Sequence, residues 1–413
     1  MYRAVGVILA ACFASLLPAQ NFIGAGGCSG SNCHGATVAA SESASRIWGN
    51  EYAIWSLNDK HAKAWRVLEE PRSKRMAEII KIADARSDKR CTVCHAAGSP
   101  EKLTSDGVAC EACHGPAEKW LGPHTQAKSH AASIASGMVD TKNLRVRATK
   151  CLDCHLGAAD KIVDHEMIAA GHPDLNFELD TFTAAQPAHF REPKPTPGDS
   201  LPRVRVWAVG QASALAQGMR LLAERASRSW PEFAELECYQ CHHDLLLESK
   251  RIERGYGGRK PGSLQLDRAR IEVARELVAR AAPDQSAALD AALTKVTSLV
   301  TSRITAGSEI AAAATQTAAI ADALVARFEK QDFTAAQARA MAQALSTGIA
   351  RIADGGVHSA EVATMSLDSL SAAVSGTGTQ SSTTPLYDYL EHPSTYDPGE
   401  FVALFRKAAG ALN

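Results

Sequence analysis

Aromatic side chains are scarce in this 413-residue chain, at 6% of residues, although 46% of residues are hydrophobic. Large aromatic rings therefore cannot fill the cores, and alanine supplies much of the apolar content of the second half. No cysteine follows Cys241, so the C-terminal part carries neither disulfide nor thiolate chemistry. No basic run is present, which excludes a nucleic-acid footprint. Beyond the first twenty residues no stretch is apolar and long enough to cross a bilayer.

What the chain has is ordered cysteine. Ten cysteines beyond residue 20 form five pairs, each followed at once by a histidine. Four copies share a two-residue gap: Cys91, Cys94 and His95; Cys110, Cys113 and His114; Cys151, Cys154 and His155; Cys238, Cys241 and His242. A looser copy near the N-terminus reads Cys28, Cys33 and His34, with four intervening residues. No thiol is left over for a disulfide framework. A structural zinc site joins two cysteine pairs, or one pair and two histidines, and needs no histidine directly after each pair. A thioredoxin-like pair needs a strand-to-helix setting and occurs once per domain.

Covalent c-type haem attachment does require this arrangement. Two thiols add across the porphyrin vinyl groups, and the next residue brings its imidazole under the iron. The expectation is five covalently bound haem c, one at each motif. For the Cys28 copy, a disulfide or metal clip is the competing reading.

Residues 1–20 combine one basic residue, an apolar run and small residues at the exit, the pattern of a secretory signal peptide cleaved near Ala19 or Gln20. The expected location is periplasmic or extracellular. The Leu-Ala-Ala-Cys run ending at Cys12 offers a lipid anchor as the alternative.

The motifs divide the chain near residue 250: a pentahaem domain over 21–250, an Ala-rich helical bundle over 263–374, a flexible link over 375–384 and a tail helix within 385–413. Helical stretches are expected at 60–82 and 207–227, with a Pro-rich loop at 191–199. Apolar spacing marks helices through Leu289, Leu293, Val296 and Val300, and through Met341, Leu345, Ile349 and Ile352. Thr334 with Gln337 reads as a capping box. The fold class is thus mainly α: a multihaem cytochrome c domain with little regular strand, followed by the bundle.

Nine of the fourteen histidines are not in the motifs. His358 and His392 lie in the cysteine-free half and read as surface residues. The other seven, His61, His124, His130, His165, His172, His189 and His243, cluster in the haem-bearing part, which points to bis-histidine ligation of several haems. Met76, Met138, Met167 and Met219 are the sulfur alternatives.

The segments Cys-Glu-Ala-Cys-His-Gly-Pro-Ala-Glu-Lys-Trp-Leu-Gly-Pro-His (110–124) and Asn-Asp-Lys-His-Ala-Lys-Ala-Trp (58–65), with the motifs in this order, resemble the cytochrome c-554 family over roughly residues 24–190. The resemblance implies His61 as distal ligand to the haem of His155, and His124 to the haem of His34. It also implies one open iron face, on the haem of Cys91, Cys94 and His95. The longer first motif, the fifth motif and the helical C-terminal part depart from the family pattern. His165, His172 and His189 are left as distal ligands without assigned partners.

The functional expectation is an exported relay passing electrons between a redox donor and an acceptor, either other cytochromes or a membrane quinol-linked complex. The C-terminal helices would then dock it into a complex or filament. The alternative is a multihaem oxidoreductase acting on a small nitrogen or sulfur compound at a five-coordinate haem. A haem assay on the purified, exported protein should return five haems per chain; four would remove the Cys28 site.

Overall fold

The computed structural model describes residues 21–40, 47–99, 102–190, 201–256, 259–302, 305–376 and 382–410. The expected leader, with Cys12, the loop at 191–199 and residues 377–381 of the expected link at 375–384 lie outside these described residues. Among the described residues no helix is long and apolar enough to cross a membrane.

The cysteine-rich part consists of short helices: α1 (Glu51–Asn58), α2 (Pro71–Ile79), α3 (Lys89–His95), α4 (Cys110–His114), α5 (Leu121–His124), α6 (His130–Ala135), α7 (Leu144–His155), α8 (His165–Ala170) and α9 (Leu179–Ala185). Its only described sheet is a hairpin, β1 (Ala97–Ser99) antiparallel to β2 (Lys102–Thr104). The stretch expected to be helical over 60–82 is broken. Two 3-10 turns precede α2, because Pro71 takes the first helical position and holds Glu70 extended, at φ −70 and ψ 156. Apolar clusters here are small, one of them only Ala25, Ala97 and Ala109 with neighbouring rings.

The remaining helices, apart from a short α11 (Lys250–Arg254), share one core: α10 (Pro202–Arg228), α12 (Glu272–Ala281), α13 (Pro283–Thr301), α14 (Gly307–Phe328), α15 (Ala335–Ala353), α16 (Val357–Ser375), α17 (Thr384–Leu390) and α18 (Pro398–Gly410). The Thr334–Gln337 capping box opens α15. The tail helix α18 docks back through the fully buried Phe401 and Phe405.

The division expected near residue 250 does not follow the packing. Helix α10 lies before it in sequence but packs along α14 and against α12 and α16, at the centre of the bundle. Small residues on both surfaces, among them Ala208, Ala212 and Ala216 on α10 and Ala314, Ala318 and Ala321 on α14, let the two helices approach closely. The opposite side of α10 meets α7 and α9 of the cysteine-rich part through Ala214 and Leu221, which cluster with Leu152, Leu156, Phe177 and Leu179. Glu178 adds a polar tie: its carboxylate accepts the amides of Asp180 and Thr181 at 3.0 and 2.7 Å, and the hydroxyl of Ser369 on α16 at 3.0 Å.

Gly210 is where α9 crosses α10. A Cβ there would stand 2.6 Å from Leu179 Cβ, which sits at the root of its side chain and cannot swing away. Gly210→Val should lower the unfolding free energy of the loaded protein by about 2 kcal/mol. Gly410→Val, at a position with nothing within 4 Å of the added Cβ, should leave it within about 0.5 kcal/mol. Denaturant titration of the two variants makes the comparison.

Candidate metal centres

Each two-gap motif lies on a helical turn. In α3, α4 and α7 the histidine ends the helix, and in the fifth motif the amide of His242 donates to Cys238 O at 2.9 Å. Residues three apart share a helix face, so the two thiols project together and the histidine stands beside the first of them. The longer first motif reaches a similar end by a tight turn. Cys33 and Gly35 both donate to Gly30 O, and His34 donates to Cys28 O at 3.3 Å. All ten thiols are free of disulfides.

The glycine of the Cys-His-Gly-Pro segment has a definite task. Gly115 ends α4 at φ +81, a left-handed conformation that a side chain resists, and its Cβ would meet Gly137 O at 3.1 Å. Glu111, between the two cysteines of the same motif, is buried and accepts the amides of Ile23, Gly24 and Ala117 at 3.0, 2.8 and 2.7 Å. It thereby docks the N-terminal segment, and with it the Cys28 motif, onto α4.

The histidines meet in pairs. Ring centroids are 5.9 Å apart for His34 and His124, 5.9 Å for His61 and His155, 6.4 Å for His95 and His172, and 6.0 Å for His165 and His242. A metal–imidazole bond is about 2 Å, so two rings ligating one metal from opposite sides place their centroids about 6 Å apart. The observed separations meet that condition four times. His114 is the one motif histidine left, and His189 is the distal candidate whose charge reaches it. Partial burial first, then the neighbouring charge of His189, bring His114 down to about 4. Burial does the same to His155, which also falls to about 4 and packs against Phe177 and Phe182. Neutral imidazole is the form that ligates a metal.

His172 thus stands opposite His95, on the side that the family resemblance implies to be open. Helix α8 explains how: His165 at its first residue turns to His242, while His172, just beyond its last turn, turns to His95. Met167, between them in sequence, is buried in the protein. His130 lies 3.4 Å from Asp140, and His243 Nδ1 lies 2.7 Å from Asp244 O.

Neighbouring motifs touch through their thiols. Cys28 and Cys110 lie close enough to perturb each other's ionisation, as do Cys94 and Cys154, and Cys113 lies within charge range of Cys151 and Cys154. Lys161 Nζ sits 3.6 Å from Cys154 Sγ. The fifth motif is the most open, with Cys238 and Cys241 exposed and Leu245 and Leu247 exposed by 90% and 97% beside it.

The sequence gives little sign of three groups that matter here. Glu51 stands 3.0 Å from His34 Nδ1 and Asp59 stands 3.0 Å from His61 Nδ1. Burial works against both carboxylates, yet the hydrogen bonds from the histidines and from backbone amides hold each at about 2. A local Asp-x-His pattern marks Asp59; Glu51 has no comparable mark. The third is His358, which is not a surface residue. Its side chain is 18% exposed, with Nδ1 2.9 Å from Asp267 Oδ2 and Nε2 3.3 Å from Asp174 Oδ2. Asn176 donates to His358 O and to Glu361, so the loop after His172 is fastened to the start of α16.

Thiol pairs each with a trailing histidine, four of them with a facing imidazole at metal-spanning distance, are the pattern of a c-type cytochrome. Residues 28–115 match the family described as cytochrome c554 and c-prime, a match that supports a c-type cytochrome. The matched segment holds the first three motifs and His61. Searches of curated proteins and of solved structures return no match.

Burial opposes the His358 imidazolium, but the hydrogen bond and charge of Asp267, with Asp174 and Glu361 nearby, raise its pKa to about 9. A raised folded-state value means the stabilisation is complete below the unfolded value of 6.5 and is lost as pH rises through about 9. It amounts to at most about 3 kcal/mol. Urea unfolding at about pH 6 and about pH 9.5 should show a larger drop for the wild type than for His358→Gln; equal drops would leave the contact without that role.

Proposed function

We propose that the chain is an exported pentahaem relay whose five haems are held by bis-histidine pairs and carry electrons between redox proteins. The observation that carries this reading is the approach of four distal histidines to four motif histidines, at the separation a single iron needs, with His189 close enough to His114 for its charge to act there. The haem supplies the Fe(III)/Fe(II) couple. The chain supplies the ligands, fixes their orientation and brings the motifs into contact.

Those contacts suggest an order of stations. Cys28 against Cys110, Cys113 near Cys151 and Cys154, and Cys154 against Cys94 link the first four motifs in the order 28–34, 110–114, 151–155 and 91–95. Helix α8 then joins the 91–95 motif to the fifth, since it carries the histidine facing each. Closely spaced stations of this kind exchange electrons without moving parts. The exposed thiols and leucines of the 238–247 segment favour the fifth motif as the end that meets a partner. The donor and acceptor fit the class of other cytochromes or a membrane quinol-linked complex, and export fits the attachment chemistry of haem c.

EPR and optical spectra of the exported, fully loaded protein, before and after nitrite, hydroxylamine or carbon monoxide, test the reading. It expects only low-spin haems that ignore all three ligands. A high-spin haem that binds carbon monoxide would overturn the closed relay and favour an oxidoreductase acting at that iron.

A further inference from the structure

Within the five proposed pairs the histidines do not lean on the same kind of partner. His34 and His61 each have Nδ1 3.0 Å from a carboxylate oxygen, of Glu51 and Asp59 respectively. Both histidines of the Cys91 motif lean on neutral carbonyls instead: His95 on Ala64 O at 2.9 Å and His172 on Pro173 O at 2.7 Å. His189, opposite the Cys110 motif, has its Nδ1 3.3 Å from Pro187 O.

The two carboxylates are fixed in place. Glu51 Oε1 accepts the amides of Trp48 and Gly49, leaving Oε2 for His34. Asp59 Oδ1 also accepts the His61 amide at 2.9 Å, and its Oδ2 accepts Gln186 Nε2 at 3.1 Å. Their side chains are 13% and 5% exposed, so water screens them poorly.

An imidazole that binds metal through Nε2 keeps its proton on Nδ1 and donates it to whatever stands there. A carboxylate acceptor makes the ring a more basic, more anionic ligand than a carbonyl does. Stronger donation and a nearby negative charge both favour Fe(III) over Fe(II). From this we infer that Glu51 and Asp59 set potentials: they make the haems ligated by His34 and by His61 lower in reduction potential than the carbonyl-backed stations at Cys91 and Cys110. Along the proposed order the stations then alternate low, higher, low, higher, and electrons entering a half-reduced relay rest at the carbonyl-backed haems.

This rests on the bis-histidine reading, whose failure would appear as high-spin signals in the wild type before any variant is made. The test is an EPR-monitored redox titration of the full-length loaded protein and of Glu51→Gln and Asp59→Asn, which keep an acceptor oxygen but remove the charge. Each substitution should raise the Fe(II)/Fe(III) ratio of one haem about tenfold at a fixed potential, about 59 mV for a one-electron couple, with its low-spin signal retained. Asp140→Asn, beside His130, should shift none. Unmoved potentials in both variants, or the same shift in Asp140→Asn, would overturn the inference. Should a variant fail to load haem, the wild type still decides: at least two low-spin Fe(III) signals must persist after two others are lost during stepwise reduction, and loss of all signals together contradicts the assignment.

Discussion

Pairs of imidazoles facing each other about 6 Å apart, the span that one metal would bridge, are the constraint on which the proposed account of the cysteine-rich half depends. Each pairing joins residues far apart in sequence, closing loops of about 75 to 95 residues. The short helices between them bury few apolar side chains of their own. Ordering such a segment costs conformational entropy that these small clusters offset only in part. Metal ligation and covalent haem attachment contribute the rest, as they do wherever binding and folding are coupled.

The polypeptide meets the constraint with a small number of local devices. Glu111 ties the N-terminal segment to α4, so that the first and third motifs lie side by side. Gly115 turns the chain sharply after His114. Helix α8 serves two motifs at once, and α10 gives the fourth motif a rigid surface, through Leu152 and Leu156 against Leu221. The helical half is then a pedestal for the haem-bearing half, fastened by α10, by the Glu178–Ser369 hydrogen bond and by His358 between Asp174 and Asp267.

Much of this was legible in the sequence because attachment chemistry is local. A thiol pair followed by histidine is read within five residues, and the helical spacing of the bundle within a few turns. The structure brings His61 to His155 and His124 to His34, the pairings implied by the family resemblance. The partners of His165 and His172 were not legible, since spacing along the chain says nothing of where α8 points. The histidine on the side of His95 implied to be open was not legible for the same reason: it follows 77 positions later in sequence, at His172. A boundary drawn from cysteine content puts helix α10 with the cysteine-rich part, whereas its burial on nearly every face comes from partners on both sides. His358 looked like a surface residue because its two carboxylates come from distant segments.

The measurement that bears most directly on the central claim is a crystal structure of the loaded protein with the irons located by anomalous scattering. The account predicts five iron positions, each between one of the pairs His34–His124, His61–His155, His95–His172, His114–His189 and His165–His242. An iron displaced from its pair, or a haem with a single histidine ligand, would contradict it.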